Sequence, residues 1–310
     1  MTDLFIIWNV WSTARLPRIG GSKMPEAKLK PNYRRIQKAL NDSRAPERLV
    51  AHYVVERWLA EQLRQAPPDE RTKVDMEVYP RVLAEVRDHP MNVDVAPPPS
   101  PERIARYLSP HLGSEVRFLE IGTGDGSLAR YVANRCKSVL AIDVSEFLEP
   151  AKNAPPNFRF ALTAGIAIET ADESIDLAFS NQLMEHLHPD DATAQLREVY
   201  RVLRPGGLYI CRTPNRLLGP SDISRYFDDT ATCFHLKEYT CRELAHLMQS
   251  AGFRSVGFRI EAAGRVWCEA PLPVMSFIET LFSLLTKATE SLKFTAISNI
   301  LLGISAIARK

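Results

Sequence analysis

The chain has 310 residues, of which 39 are Lys or Arg and 37 are Asp or Glu, so its net charge is only +2. Apolar residues make up 45% of it and charged residues 25%, which is typical of globular proteins and excludes a disordered, collagen-like or disulfide-stapled chain. A strongly basic nucleic-acid binder is disfavoured because such a protein should carry a larger positive charge. The length allows two domains, or one domain with large additions.

The cysteines and the N-terminus indicate a cellular compartment. The five cysteines are widely spaced and form no C-x-x-C pair, so a disulfide framework and a zinc knuckle are not expected. The first apolar run, Leu4–Trp11, is too short for a membrane span and follows Asp3, where a signal peptide carries positive charge. We therefore expect a cytoplasmic protein, with peripheral membrane contact left open.

The small net charge conceals an uneven distribution along the chain. Residues 12–48 contain ten basic and three acidic side chains, a local charge of +7 against −5 for the remainder. A solvated arm is the simplest interpretation of this segment. The alternative is contact with an anionic membrane surface, or with a lipid-linked or phosphorylated substrate.

The first hundred residues have a helical pattern. Pro46 suits the first turn of a helix that ends before Pro67, and a second helix is predicted over Val74–Val86. Three prolines at 97–99 form a stiff linker, after which Pro101 begins another helix. Residues 1–99 are therefore predicted to be a helical N-terminal extension that includes the basic arm.

From residue 116 onwards, strands and helices alternate. Five strands are predicted, over Val116–Ile121, Val139–Ile142, Phe158–Phe160, Ile175–Ser180 and Leu208–Arg212. Helices are predicted between them and after them, over Gly126–Asn134, Asp190–Arg204 and a segment from Thr240 to Gly252, followed by a hairpin of Phe258–Ile260 and Val266–Cys268. The pattern predicts an α/β, Rossmann-like, doubly wound and mostly parallel sheet with an antiparallel closing hairpin, over residues 100–270.

The last segment, residues 271–310, is predicted to be a helical tail. It contains Phe294–Ala308, a stretch of 15 residues without a charged side chain. This stretch is too short and too polar to span a membrane. A packed helix is the simplest interpretation, with an interfacial membrane helix or a homodimer contact as alternatives.

A glycine-rich loop follows the first predicted strand. Its spacing, G-x-G-x-G over Gly122–Gly126, differs from the G-x-G-x-x-G of dinucleotide-binding loops. Glu120 stands two residues before the first glycine, and a carboxylate there suits a cationic ligand group better than a phosphate. Asp143 follows the second predicted strand, where it can accept hydrogen bonds from both hydroxyls of a ribose.

These features resemble the class I S-adenosylmethionine-dependent methyltransferases of the broad type-11 group. The resemblance covers roughly residues 116–258 and rests on motifs in the expected order: LEIGTGDGSLA at 119–129, AIDVS at 141–145, DESIDLAFSNQLMEHL at 172–187, LREVYRVLRPGG at 196–207, TPNR at 213–216 and HLKEYTCRELAHLMQSAGF at 235–253. It implies S-adenosylmethionine as the cofactor. The N-terminal extension and the tail lie outside it.

The resemblance also implies roles for individual residues. The amino-acid end of the cofactor would be held by Glu120, Gly122, Thr123, Gly124 and Gly126. Asp143 and Val144 would hold the ribose, and Asn181 would line the methyl-transfer site. The position that normally carries an acid for the adenine amino group is Ala164 here, so the backbone of Gly165 and Ile166 would hold the base instead.

Candidates for the acceptor side lie after the fourth and fifth predicted strands. His186 is the first candidate for a general base, and His235 the second. Arg216 could bind a carboxylate or phosphate of the substrate. Tyr226 lies in a loop that is long enough to act as a substrate clamp. The sequence presents no clustered set of His and carboxylate residues, so no metal site is expected.

The acceptor class follows partly by elimination. The sequence SNQL at 180–183 is not the N/D-P-P-Y clamp associated with amino methylation of adenine or glutamine, and no Pro-Cys pair suits attack on a pyrimidine. The TPNR strand end and the EYT segment at 238–240 resemble enzymes that act on small molecules, and this resemblance implies O-methylation of a sugar, a lipid-linked intermediate or a secondary metabolite. The alternatives are an RNA methyltransferase that uses the basic arm, a non-catalytic partner with the same fold, or a dehydrogenase.

Overall fold

The fold is that of a computed structural model, which describes residues 27–71, 73–74, 76–77, 100–144, 154–163, 166–262, 265–288, 292–293 and 295–310. Residues 12–26 of the basic arm, nearly all of the helix predicted over Val74–Val86, the prolines at 97–99, Ala164 and Gly165 lie outside this range. In the part that is described, no helix combines the length and the apolar character needed to cross a membrane.

Eight helices and eight strands make up the described elements. The helices are α1 (Tyr33–Leu40), α2 (Pro46–Gln65), α3 (Pro101–Leu108), α4 (Ser127–Ala133), α5 (Pro189–Val202), α6 (Cys241–Ser250), α7 (Leu272–Ala288) and α8 (Ala296–Leu302). The strands are β1 (Arg117–Ile121), β2 (Ser138–Asp143), β3 (Phe158–Leu162), β4 (Ile175–Asn181), β5 (Leu203–Thr213), β6 (Ser255–Ala262), β7 (Arg265–Pro271) and β8 (Ile304–Arg309).

All eight strands form one sheet, in the order β3-β2-β1-β4-β5-β8-β6-β7. The first five strands run parallel, and β6, β7 and β8 close the sheet in antiparallel pairs. One apolar cluster packs α5, α6 and α7 on one face, and another packs α3 and α4 on the other face. The predicted doubly wound, mostly parallel sheet and its closing hairpin are therefore confirmed.

Local sequence signals explain where several elements begin. Pro46 stands at the first position of α2, where the missing N–H costs no hydrogen bond. Thr240 and Glu243 form the predicted capping box at the start of α6, each side chain bonding the other residue's backbone N–H. β1, β2 and β4 are buried along most of their length because both faces of the parallel sheet are covered by helices.

The prediction of a wholly helical tail is wrong for its last residues. Ile304–Arg309 form β8, which lies between β5 and β6 and pairs with both. Ile307 packs on the α3–α4 side, whereas Ala306 and Ala308 pack on the α5–α7 side. A strand covered on both faces has no polar–apolar alternation, so its sequence is not distinguishable by periodicity from a buried helix.

Removing residues 304–310 is expected to abolish cooperative thermal unfolding. The truncation exposes the edges of β5 and β6, and it removes Ile304 and Ile307, which are 3% and 8% exposed. Burial of two isoleucines contributes about 3–6 kcal/mol, a large share of the ~5–15 kcal/mol that holds a typical domain together. Differential scanning calorimetry measures the change. Ile297→Ser, at a tail residue that is 68% exposed, is the control and should leave the transition nearly unchanged; a truncated chain that melts like this control would contradict the account.

The N-terminal helices pack against the loop between β5 and α6. Tyr53 of α2 donates a hydrogen bond to Asp228 at 2.8 Å, and Tyr226 donates one to Asp42 at 2.8 Å. Apolar side chains of α1 and α2 bury Ile223, Tyr226 and Cys233 in a separate cluster. The extension therefore fixes the loop that leads into His235.

Candidate active site

The glycine loop between β1 and α4 has the conformation that only glycine adopts easily. Gly122, Gly124 and Gly126 have φ angles of 69°, 55° and 66°, in the left-handed region. A Cβ on Gly122 would stand 3.0 Å from the Leu183 side chain, whereas one on Gly124 would meet nothing within 4 Å. The loop is therefore closely packed on one side and open above Gly124, which gives a ligand direct access to backbone.

Two carboxyl groups lie at this loop, as the sequence predicts. Glu120 is 5% exposed and accepts a hydrogen bond from the Thr123 hydroxyl at 2.8 Å. Burial raises the pKa of the Glu120 carboxyl to about 8. Asp143, at the end of β2, accepts a hydrogen bond from the backbone N–H of Gly124 at 2.8 Å. The Asp143 carboxylate thus orders the loop as well as standing at the predicted ribose position.

The remaining cofactor candidates occupy the same edge of the sheet. Val144 follows β2 directly, and the described part of the adenine segment, Thr163 and Ile166, follows β3. Thr163 donates its backbone N–H to the Asp143 carbonyl at 2.8 Å. Asn181 ends β4, with its amide oxygen accepting from Arg212 at 3.2 Å.

The segment after β4 brings a second group of polar residues to the glycine loop. Leu183 packs on Gly122, and Glu185 and His186 follow it. Glu185 is fully buried; its Oε2 accepts from the Thr213 hydroxyl at 2.8 Å, and its Oε1 accepts no hydrogen bond from any described residue. Burial raises the pKa of the Glu185 carboxyl to about 7.

The two candidate bases lie side by side. The rings of His186 and His235 meet edge to face with centroids 5.0 Å apart. Nδ1 of His186 stands 3.1 Å from the Phe234 carbonyl oxygen, and Nδ1 of His235 stands 2.6 Å from Oε1 of Glu238. Burial alone would lower the pKa of His235, but the bond to Glu238 and the nearby carboxyls of Asp222 and Glu185 raise it above its ordinary value.

The expectation of no His–carboxylate cluster is wrong. Ligand-type atoms of Glu185, His186 and His235 all lie within 4.8 Å of one another. A second set, Glu56, Asp222 and Cys233, lies between α2 and the loop that precedes His235. Sequence reasoning missed Glu185, Glu238 and Asp222 as members of the site. The adjacent Glu185-His186 pair and the H-x-x-E spacing of His235 and Glu238 were the available signals.

The two predicted substrate residues make contacts elsewhere. Arg216 pairs with Glu243 at 3.0 Å, and its side chain is half-exposed beside the start of α6. Tyr226 is 2% exposed, and its hydroxyl donates a hydrogen bond to the Asp42 carboxylate. Neither is part of the His186–His235 cluster, and both have a clear role in packing or ion pairing.

Comparison with known proteins agrees with this geometry. Residues 119–211 match a family model described as a methyltransferase domain. A probable S-adenosylmethionine-dependent methyltransferase of Mycolicibacterium smegmatis is 32% identical over 138 residues, covering 44% of this chain and 51% of the relative. A ubiquinone biosynthesis O-methyltransferase of Ruegeria pomeroyi is 29% identical over 172 residues, covering 50% and 68%.

The similarity extends to solved structures. The 1,6-didemethyltoxoflavin-N1-methyltransferase of Burkholderia thailandensis has a TM-score of 0.47 and 20% identity, over 79% of this chain and 91% of that one. The chain spans about half the length of the first curated relatives it matches. The glycine loop with its two carboxyl groups, the order of the sheet and the family match together identify the sheet-forming core as a class I S-adenosylmethionine-dependent methyltransferase domain.

Proposed function

We propose that this protein transfers a methyl group from S-adenosylmethionine to a hydroxyl of a small molecule, such as a sugar, a lipid-linked intermediate or a secondary metabolite. The observation that carries the proposal is the packing of Leu183 on Gly122, because it sets the His186–His235 cluster beside the predicted cofactor loop. The name of the Ruegeria pomeroyi relative, an O-methyltransferase, supports this acceptor chemistry.

The residues of the glycine loop fit the cofactor. The positive φ of Gly124 and the open space above it admit a ligand against the backbone. Glu120 suits the ammonium group of the amino-acid end, and Asp143 suits the ribose hydroxyls. When bound, S-adenosylmethionine supplies an electrophilic methyl group on its sulfonium.

The polar cluster supplies groups for removing the hydroxyl proton. A carbonyl oxygen can only accept, so Nδ1 of His186 carries its hydrogen and Nε2 has the lone pair. Glu238 places the hydrogen of neutral His235 on Nδ1 in the same way. Either Nε2 can then accept a proton from the acceptor, a contribution of about 10²–10⁴ in rate for a well-placed base.

Two cations of the described basic arm have structural partners. Arg44 is paired with Asp42 at 2.7 Å, and Lys30 is paired with Asp229 at 2.9 Å. These two cations stabilise the contact between the extension and the loop before His235, so a polyanion that bound them would have to compete with internal ion pairs. The extension therefore has a structural role in shaping the acceptor side.

Cofactor binding is expected to release a proton from Glu120. The raised pKa of about 8 keeps this carboxyl mostly neutral at pH 7, and a cofactor ammonium would favour the carboxylate. Affinity for S-adenosylhomocysteine should therefore increase as the pH rises from 6 towards 8. Titration calorimetry at pH 7 in two buffers of different ionisation enthalpy measures the release. Glu120→Gln should remove it, and proton uptake by the wild type would place the ammonium elsewhere.

The proposal is tested by a methyl-transfer screen. The full chain is incubated with labelled S-adenosylmethionine and with sugar, lipid and metabolite extracts, and labelled products are identified by mass spectrometry. A labelled ether in one of these extracts supports the proposal. Label transferred only to RNA, or to nothing while S-adenosylhomocysteine binds, would contradict it.

A further inference from the structure

The buried cluster beside the glycine loop has the composition of a metal site. It contributes two imidazoles, from His186 and His235, and one carboxylate, from Glu185. We propose that these three residues bind a divalent transition-metal cation such as Zn²⁺ or Mn²⁺. Two nitrogens and one oxygen suit such ions and leave coordination positions open for a further ligand.

The distances are compatible with one coordination sphere. Ligand atoms about 2.0–2.2 Å from an ion stand roughly 3–4 Å from one another. The corresponding atoms of the three side chains all lie within 4.8 Å in the structure. His186 is only half-buried, so a change in its side-chain angle can bring its nitrogen to the ion without moving the strands.

Each of the three proposed ligand side chains also contacts a second polar group. Nδ1 of His235 contacts Oε1 of Glu238 at 2.6 Å, and Nδ1 of His186 contacts a backbone carbonyl at 3.1 Å. Oε2 of Glu185 accepts from the Thr213 hydroxyl at 2.8 Å. Metal-binding imidazoles characteristically donate their other N–H to a carboxylate or carbonyl, which presents Nε2 to the ion.

One carboxylate oxygen of the cluster has no hydrogen-bond donor among the described residues. Oε1 of Glu185 is buried, and no described residue donates a hydrogen bond to it. A buried acceptor without a donor is unfavourable, and more so when it is charged. A cation bound in the cluster would supply the partner that Oε1 of Glu185 lacks among the described residues.

The cation also has a use in the proposed reaction, and this role alone rests on the proposed function. A hydroxyl bound to the ion is more acidic, so its proton passes to solvent when the acceptor binds. The alkoxide oxygen then forms the new O–CH₃ bond while the S–CH₃ bond of the cofactor breaks, and the thioether leaves. In this arrangement the two histidines hold the ion instead of taking the proton themselves.

The binding test uses the metal alone. The full chain is dialysed against chelator and titrated with Zn²⁺ and Mn²⁺ by calorimetry, and the visible spectrum of the Co²⁺ form reports the ligand set. We expect one site per chain. His235→Ala should weaken that site by well over tenfold, and Glu238→Gln by about 10–100-fold through loss of the group behind His235. His246→Ala, at an exposed histidine of α6, is the matched control and should bind like the wild type.

Folding and cofactor binding are measured on the same samples. Circular dichroism checks each variant, and His186→Gln, at a half-buried position, replaces His235→Ala if that variant unfolds. A wild type that binds no cation, or binds it no better than the ligand variants, overturns the metal site. S-adenosylhomocysteine binding retained in that protein would leave the cofactor site standing, so the two proposals fail separately.

Discussion

Replacement of Asp143 by alanine is expected to weaken S-adenosylhomocysteine binding by at least tenfold. The Asp143 carboxylate accepts the Gly124 N–H at 2.8 Å and stands at the predicted ribose position, so the variant loses both the order of the loop and the bonds to the ribose. One hydrogen bond to a charged group contributes about 1.5–3 kcal/mol, and ~1.4 kcal/mol corresponds to a factor of ten in affinity. Titration calorimetry gives the affinity directly.

The control for Asp143→Ala is Asp172→Ala. Asp172 is an exposed aspartate that pairs with Arg201 on the surface, so its loss removes a charge without touching the glycine loop. We expect its affinity for S-adenosylhomocysteine to equal that of the wild type. Unchanged affinity in Asp143→Ala as well would mean that the ribose is held elsewhere.

His186→Ala is expected to reduce turnover by about 10²–10⁴, the range for loss of a positioned base, because it removes either the proton acceptor itself or a ligand of the ion that acidifies the hydroxyl. S-adenosylhomocysteine affinity should change little, because the contacts of His186 with Phe234 and His235 lie on the acceptor side of the site. Steady-state kinetics on the acceptor from the screen, together with calorimetry, separates the two effects.

The comparison variant for His186→Ala is again His246→Ala. It removes an imidazole from the surface of α6 and should keep full activity. Full activity in His186→Ala would exclude this residue from the reaction. An equal loss of turnover and cofactor affinity would show that His186 supports the cofactor site through Leu183.

The core of the fold was predictable because its signals are local. The central strands β1, β2 and β4 are short and mostly apolar, and the two clearest helix starts have a proline or a capping box. The glycine loop was equally predictable. Three closely spaced glycines between a strand and a helix indicate a left-handed backbone, which Gly122, Gly124 and Gly126 all adopt.

The last strand was not predictable because its partners are distant in sequence. β8 pairs with β5, about a hundred residues earlier, and no turn or alternation in Ile304–Arg309 indicates that pairing. A run of Ile, Ala and Ser without charge is compatible with a buried helix and a buried strand alike. The segment forms a strand because β5 and β6 each have an edge whose backbone N–H and C=O groups need hydrogen-bond partners.

The acceptor side was predictable in its histidines but not in its acids. His186 and His235 stand out as rare residues after strand ends. The roles of Glu185 and Glu238 depend on the meeting of two segments that are about fifty residues apart, where the Lys237 N–H bonds the Glu185 carbonyl at 3.2 Å. A carboxyl beside a histidine is common on protein surfaces, so burial was needed to distinguish this cluster.

The charge of the basic arm has a partial explanation in the structure. In the described part of the arm, Lys30 and Arg44 pair with acids, and Tyr226 reaches the same Asp42 that Arg44 holds. Together, the Arg44 guanidinium and the Tyr226 hydroxyl outweigh burial and lower the pKa of Asp42 to about 2. The arm thus anchors the loop before His235, which links the extension to the acceptor side.

Binding of S-adenosylmethionine at the loop Gly122–Gly126 underlies the whole proposed reaction. It is measured most directly by a calorimetric titration of the full wild-type chain with S-adenosylhomocysteine, with NADH titrated in parallel. We expect saturable binding of one S-adenosylhomocysteine per chain and no binding of NADH. Absence of S-adenosylhomocysteine binding at millimolar concentration, or binding of NADH in its place, would contradict it.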